Sequence, residues 1–490
     1  MSRAALLCAA AAWLAASAAG DEPPPVSAAS IDAALLEEGA RLGLEPAPLA
    51  GPAARARRLA LDAWGTLPDA QDGAPRTDAA AAVDDPRFLP YAAERLARAW
   101  WPARAAETPA LALLREDFGR WLEARLRAGD GLDQLAADVL GAEGTSDEAR
   151  GASFLVAFGA TGGADAARPV ARRFLGLSWD CARCHDHPFG EATQEDFHGL
   201  AAFFARLRVR PVPGRQLVFK VGEAPLGEHR AEVAGEHREV APRLPAAPAL
   251  DGGKAPTHAS DTSRRARFTR WLTDPRNPYF ARAQVNRVWS ELFGRGLVEP
   301  LDELDAAPDD ARARLLAHVA QGFAASGFSL PWLYRTLLST EAYARGLAPD
   351  LARQDACLAA RPRPLPPETR GRALLALVGR ARPAPGELPR VRAALEARVR
   401  AWFAGAEGLD LLPGQALVQL SDPGLLGLLA QGTGRFTGRP EARLGALFRA
   451  ALSRSPTAAE RRVFLPALRR DQAVDVMWAL VSSSEFASNH

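Results

Sequence analysis

Apolar residues spaced three and four positions apart, cut at intervals by proline, constrain this chain more than any other feature. Tyr91, Leu96 and Trp100 form one such stripe and Phe118, Trp121, Leu122 and Leu126 another, with Pro86, Pro102 and Pro109 as starts or stops. That spacing gathers the apolar side chains on one face of a helix, and proline ends or opens it. The pattern predicts a further helix over 168–177. Thr193 and Asp196 then read as a capping box, followed by Phe197, Leu200, Ala201, Phe204 and Leu207 on one helical face. The best strand candidate is 217–221, bracketed by Pro211, Pro213, Gly214 and Gly222, and 231–240 is its expected partner. The expectation is a mainly α fold: two helical domains with a small β-containing segment between them.

With 490 residues, 48% of them hydrophobic, the chain can bury more than one core. Residues 240–263 are rich in Pro, Gly and Ala and lack periodicity, which marks a linker. A smaller break falls at 361–367. The expected division is a signal peptide over 1–20, a helical domain over 30–207, a short β segment and linker over 208–263, and a second helical domain over 264–490. Lys+Arg number 60 against 58 Asp+Glu, so the net charge of +2 supplies no field to hold a polyanion, and nucleic acid is not an expected partner. Only Lys220 and Lys254 are lysines, and the many arginines read as solvated helix faces.

The amino terminus reads as an export signal. Arg3 supplies the positive region, residues 4–16 an apolar run, and Ala16, Ser17 and Ala18 a small-residue cleavage site. The run is shorter than the ~20 residues a membrane helix needs. No later stretch is free of charge for that long. The expected product is periplasmic or secreted, with no transmembrane segment after signal removal. Cys8 leaves with the signal, and Cys181, Cys184 and Cys357 remain.

Chemistry concentrates at 181–187, which read Cys-Ala-Arg-Cys-His-Asp-His. Cys-x-x-Cys-His is the pattern of covalent c-type haem attachment. Two thiols three positions apart can each form a thioether to one vinyl group, and the adjacent imidazole then lies beneath the iron. Cys181 and Cys184 are thus the candidate haem thioether residues and His185 the candidate axial iron ligand. Export fits this reading, because c-type haem is attached outside the bacterial cytoplasm.

Zinc is the alternative cofactor, since Cys181, Cys184, His185 and His187 supply a Cys₂His₂ donor set. Four ligands within seven residues strain a tetrahedral shell, so His198 or a carboxylate would replace one of them. A Cys181–Cys184 disulfide is the third reading. Asp186 reads either as orienting an imidazole from behind or as a loop or capping carboxylate. His187 reads otherwise as an ordinary loop residue, and His198, after apolar Phe197, as a partly buried, hydrogen-bonded histidine. For a second axial ligand, His198, His229, His237, His258, His318 and His490 stay open, His187 being too close in sequence to reach the opposite haem face. Met477 sits among Val476, Trp478 and Leu480 and reads as helical core.

Several stretches carry a family resemblance. Phe174-Leu175-Gly176-Leu177, the run from Cys181 to Phe189, Gln194, Asp196, Phe197 and 199–204 resemble the cytochrome-like domain of large secreted planctomycete proteins, as does the stretch 57–62 with Gly65, Leu67 and Pro68. Residues 277–282, 286–289, 292–298, 326–328, 454–457, Glu485, Phe486, Asn489 and His490 resemble that family's second domain. Both domains are of unknown function, and the resemblance implies an exported, cytochrome-like protein. The chain departs from the family where an aromatic pair is replaced by Phe197-His198, where residues 311–314 stand in place of a His-Pro before Leu315-Leu316, and where Ser482 or Ser483 replaces an Asn.

In the second domain Asn286 and Arg287 are expected to bond a neighbouring loop while Trp289 anchors the core. Asp302, Glu303 and Asp305 could ligate calcium, but Pro300 and a following helix make them capping acids instead. No P-loop, dinucleotide fingerprint, His-Glu-x-x-His or Gly-x-Ser-x-Gly is present. Three functions remain open: an exported c-type haem protein that passes electrons to or from a redox partner protein, a zinc-dependent exported enzyme using the Cys/His cluster, and a non-catalytic module of an exported assembly.

Overall fold

The computed structural model describes residues 25–68, 76–101, 109–157, 163–188, 192–245, 263–305, 310–380, 389–403 and 422–489. The expected signal peptide, most of the expected linker, Pro102, His258 and His490 lie outside them. The fold is mainly α with small sheets. Two compact units divide the chain, and each is built from two separate stretches of it. The first runs to Glu38 and over Leu89–Leu337, and the second over Gly39–Phe88 and Leu338–His490. The linear division at 208–263 is therefore not the division of the packing, and the strands of that segment sit within the first unit.

The first unit has an aromatic centre. Trp100 packs on Phe174 with ring centroids 4.9 Å apart, Phe154 meets Phe174 edge-on at 5.6 Å, and Phe203 and Phe204 flank Phe268. Such contacts add to the burial of large apolar rings. A polar thread runs through this core: Trp100 Nε1 donates to Gln284 Oε1 (3.0 Å), and Gln284 Nε2 donates to the carbonyl of Arg173 (2.9 Å). Gln284 and Trp289 belong to the helix Phe280–Phe293, in which Trp289 is fully buried. As the sequence suggests, Asn286 bonds a loop, donating to Val298 O (2.8 Å) and accepting from Val298 N (3.1 Å). Arg287 donates to the carbonyl of Arg172 (3.1 Å).

Three antiparallel strands form one sheet in the order β1 (Gly144–Thr145), β3 (Phe219–Glu223), β2 (Leu207–Pro211). The helix Gln194–Phe204 ends before Leu207, which opens β2 opposite Glu223 and stays buried by turning its strand inward rather than by continuing the helical stripe. Residues 231–240 do not pair with 217–221. They lie in a separate hairpin, β4 (His229–Val233) with β5 (Glu236–Val240), closed by Ala234 (φ 53) and Gly235 (φ 83). Two successive left-handed residues make the tight turn whose twist suits a two-residue hairpin. Ala at the first position hides the signal that Asn-Gly or Asp-Gly would have given.

The second unit surrounds a core in which Leu61 and Leu67 pack with Leu374, Phe403, Phe448 and Met477, so Met477 is helical core as expected. The helix Pro52–Trp64 contributes fully buried Arg57, whose Nη1 donates to Ala451 O (2.9 Å). Buried Asp62 accepts from Tyr343 Oη (2.7 Å) and from Arg363 Nη2 (2.7 Å). Arg363–Pro364 pairs antiparallel with Ser488–Asn489, and Cys357 is buried.

Candidate functional site

Cys181 to Arg183 form one 3₁₀ turn, and the next residues continue it: Cys184 N donates to Cys181 O at 3.1 Å and His185 N to the same oxygen at 3.2 Å. Residues i, i+3 and i+4 of a helical turn share a face. Cys181, Cys184 and His185 are accordingly presented together, all three exposed, with both cysteines as free thiols, while Ala182 turns inward and is fully buried. His185 Nδ1 lies 2.8 Å from the carbonyl of Asp186. A carbonyl only accepts, so Nδ1 carries the proton and Nε2 keeps its lone pair directed elsewhere.

The turn is held from before and behind. Upstream, Asp180 accepts from Arg168 Nε (2.7 Å) and pairs with Arg172 (2.9 Å). The hydrogen bond from Arg168 is the main reason its carboxyl sits below the ordinary range, against partial burial. Trp179 donates its indole N–H to Asp305 (2.9 Å), Arg172 reaches Asp302 (3.4 Å), and Leu304 N donates to Gly176 O (3.0 Å). Asp302 and Asp305 thus engage Arg172 and Trp179 rather than capping a helix. The following helix, Ala311–Ala325, takes Asp310 as its cap, and the two earlier acids hold the approach to Cys181. Gly176 allows this closeness by its left-handed backbone (φ +67) and its missing side chain.

Downstream, the expected capping box forms: Thr193 N donates to Asp196 Oδ2 (3.0 Å) and Asp196 N to Thr193 Oγ1 (3.2 Å). Asp186 takes the loop-and-capping role, accepting from Gln194 N at 2.9 Å, whereas its carbonyl rather than its carboxylate orients an imidazole. His187 closes the loop through its backbone N–H to Ala192 O (2.8 Å).

His198 is buried and engaged at both ring nitrogens. Its Nε2 lies 3.0 Å from Arg183 O and its Nδ1 3.0 Å from His229 Nε2, with the two rings stacked at 5.2 Å. Because the carbonyl accepts, His198 carries its proton on Nε2, and Nδ1 then accepts from His229 Nε2–H. Burial lowers the pKa of His198, and burial followed by the charge of a protonated His198 lowers that of His229 to about 4. Both rings are neutral near pH 7. To serve as a metal ligand, His198 would have to release one of these bonds, and the same holds for His229 at Nε2. The satisfied, buried histidine is the reading this geometry favours. Of the other candidates for a second axial ligand, His237 is exposed on β5 and His318 lies buried beside Ser30 (3.4 Å).

Among the described residues no three His, Cys, Asp or Glu side chains gather as a group that could hold a metal ion. The expected zinc set is therefore not assembled among the described residues. Two free, exposed thiols and an imidazole tethered at Nδ1 are the donor types that covalent haem attachment would use.

Gln194 was visible in the sequence only through the family resemblance. Its side chain donates to Cys184 O (2.8 Å) and accepts from Ala234 N (3.0 Å), connecting the turn to the hairpin tip. No local pattern announces such a bond, since its two ends lie 10 and 40 residues from Gln194.

No described helix is long and apolar enough to cross a membrane. No curated protein and no solved structure matches the chain. Residues 30–209 match the family model PSCyt2, a protein of unknown function (DUF1549), and residues 264–387 match PSD1, a protein of unknown function (DUF1553). The two matches fall in this order along the chain and correspond to the paired planctomycete-type domains that the sequence resembles.

Proposed function

We propose that the protein is an exported c-type haem protein that transfers electrons, with haem attached through Cys181 and Cys184 and its iron held by His185. The observation that carries this reading is the single turn presenting two free, exposed thiols at i and i+3 and an imidazole at i+4. A second feature supports it: His185 Nδ1 is tied to the Asp186 carbonyl (2.8 Å), which leaves Nε2 for a metal. The names of the matching family models are in keeping with a cytochrome-like domain. When bound, haem supplies a one-electron redox centre whose potential depends on axial ligands, nearby hydrogen bonds and burial.

The chain's own contribution is to fix the turn, keep His185 in the Nδ1–H tautomer and leave the thiols accessible. Arg168 and Arg172 neutralise Asp180 immediately before Cys181 and so hold down the negative charge beside the thiols. The test is expression in a host with a c-type maturation system. Purified wild type should carry a Soret band that survives acid and organic extraction, and Cys184→Ala should lose the extraction-resistant colour. A colourless wild type from a host that loads a control cytochrome would overturn the proposal.

A further inference from the structure

The described residues that follow the cysteine turn, 185–188 and 192–193, belong to no helix or strand, yet the turn in front of them is held at two consecutive carbonyls. Arg183 O accepts from His198 Nε2 (3.0 Å) and Cys184 O from Gln194 Nε2 (2.8 Å). Both donors stand on the first turns of the helix Gln194–Phe204, and each is in turn engaged by the β4–β5 hairpin. His229 Nε2 meets His198 Nδ1 at 3.0 Å, and Ala234 N donates to Gln194 Oε1 at 3.0 Å. His229 opens β4 and Ala234 forms its tip, so the hairpin contacts the helix at both ends of one strand.

We propose that His198, Gln194 and His229 are positioning residues, forming a brace through which the β4–β5 hairpin fixes the cysteine turn. Two donors on one helix define the orientation of two successive peptide planes, and the hairpin engages the far side of each donor. Arg183 O requires the proton of His198 on Nε2, so Nδ1 accepts and His229 must donate from its own Nε2 for the pair to close. Gln194 faces the same choice: its amide nitrogen must point to Cys184 O, because Ala234 N–H requires its oxygen. The outward face of the turn, with Cys181, Cys184 and His185, is thereby fixed without any of these three side chains being spent on internal bonds other than His185 Nδ1. The brace rests on the haem reading for its purpose but not for its existence, and the two can fail separately.

The first arm uses haem-free, reduced full-length protein. Amide hydrogen exchange is followed in the 181–187 segment, at 234 and, as an internal control, at 200–204. Loss of one of these hydrogen bonds removes about 1 kcal/mol, so His229→Phe and Gln194→Ala should each speed exchange in 181–187 roughly 5-fold and leave 200–204 unchanged. His229→Gln, which restores an N–H donor, should return exchange toward wild type. Exchange in 181–187 unaltered by both His229→Phe and Gln194→Ala would overturn the brace, as would acceleration spread equally over 200–204. The second arm measures covalent haem yield and midpoint potential of the same variants in a maturation-competent host. Loaded but incompletely attached haem, or a shifted potential rescued by His229→Gln, would support the brace. A colourless wild type would refute the haem reading while the exchange result still judges the brace.

Discussion

Replacing Gly176 by alanine tests how tightly the approach to the cysteine turn is built. Gly176 has φ +67, and a methyl group there would stand 2.6 Å from Leu304 Cδ1, 2.9 Å from Leu304 Cγ and 3.3 Å from Ala283 Cβ. Carbon atoms settle about 3.5–4.0 Å apart. Leu304 is buried and its backbone is anchored to Gly176 O at 3.0 Å, so its side chain can yield only by rotating within the packed core. A left-handed alanine costs about 1–2 kcal/mol, and an overpacked core methyl about 1–3 kcal/mol. Gly176→Ala is therefore expected to destabilise the first unit by about 2–5 kcal/mol. Urea unfolding followed by tryptophan fluorescence reads this loss. Leu304→Ala removes the clashing atoms, so the double variant should cost at least ~1 kcal/mol less than the sum of the singles. A single-variant loss under ~0.5 kcal/mol, or strict additivity with Leu304→Ala, would refute the reasoning.

Other outcomes follow from buried polar groups. Arg265 is fully buried, donates to Glu223 (2.9 Å) and to the carbonyls of Leu140 and Ala142 (both 2.9 Å), so Arg265→Met should cost about 3–5 kcal/mol by leaving those acceptors dry. A chemical denaturation loss below ~1 kcal/mol would contradict it. Tyr343→Phe in the second unit deletes the bond to Asp62 (2.7 Å) and should lower stability by about 1–2 kcal/mol, checked by the same assay. His229 is held neutral in the fold, with a pKa lowered from 6.5 to about 4, so between these values the unfolded chain binds more protons than the folded one. Stability should fall as pH drops through that window and be unaffected by this group above it. His229→Gln should flatten that part of the pH–stability curve, and an unchanged slope would count against the assignment.

Much of the helical frame was legible because its signals are local. The Thr193–Asp196 box, the buried face of Phe197, Leu200 and Phe204, and the pairing of Asn286 with a nearby loop each depend on residues within about one to three turns. Leu207 shows the limit of periodicity: one more apolar residue at helical spacing is also an acceptable first residue of a strand, and only the partner Glu223 decides. Residues 231–240 read as a strand partner for 217–221, whereas they fold into the hairpin of 229–233 with 236–240, because an Ala-Gly turn carries no strong sequence mark. The interleaving of the two units was not legible at all. It depends on the helix Pro52–Trp64 burying Leu61 and Arg57 against residues nearly four hundred positions later, such as Ala451 (|i−j| 394).

For the site itself, the sequence pointed to Cys181, Cys184 and His185 by spacing, and the structure places all three on one exposed turn. It also nominated His198 and His229 as second iron ligands on residue type alone. Their mutual hydrogen bond is a pairing across 31 residues that no spacing rule contains. The same holds for Trp179 with Asp305, whose carboxylate reads as a cap when only its neighbours in sequence are seen.

The central claim is that Cys181 and Cys184 carry haem. Its most direct test is a pyridine haemochrome spectrum, with metal analysis, on mature protein exported from a host competent in c-type maturation. The account predicts one covalent haem per chain with iron in equal amount, lost in Cys181→Ala/Cys184→Ala. Haem-free protein alongside a fully loaded control cytochrome would contradict it.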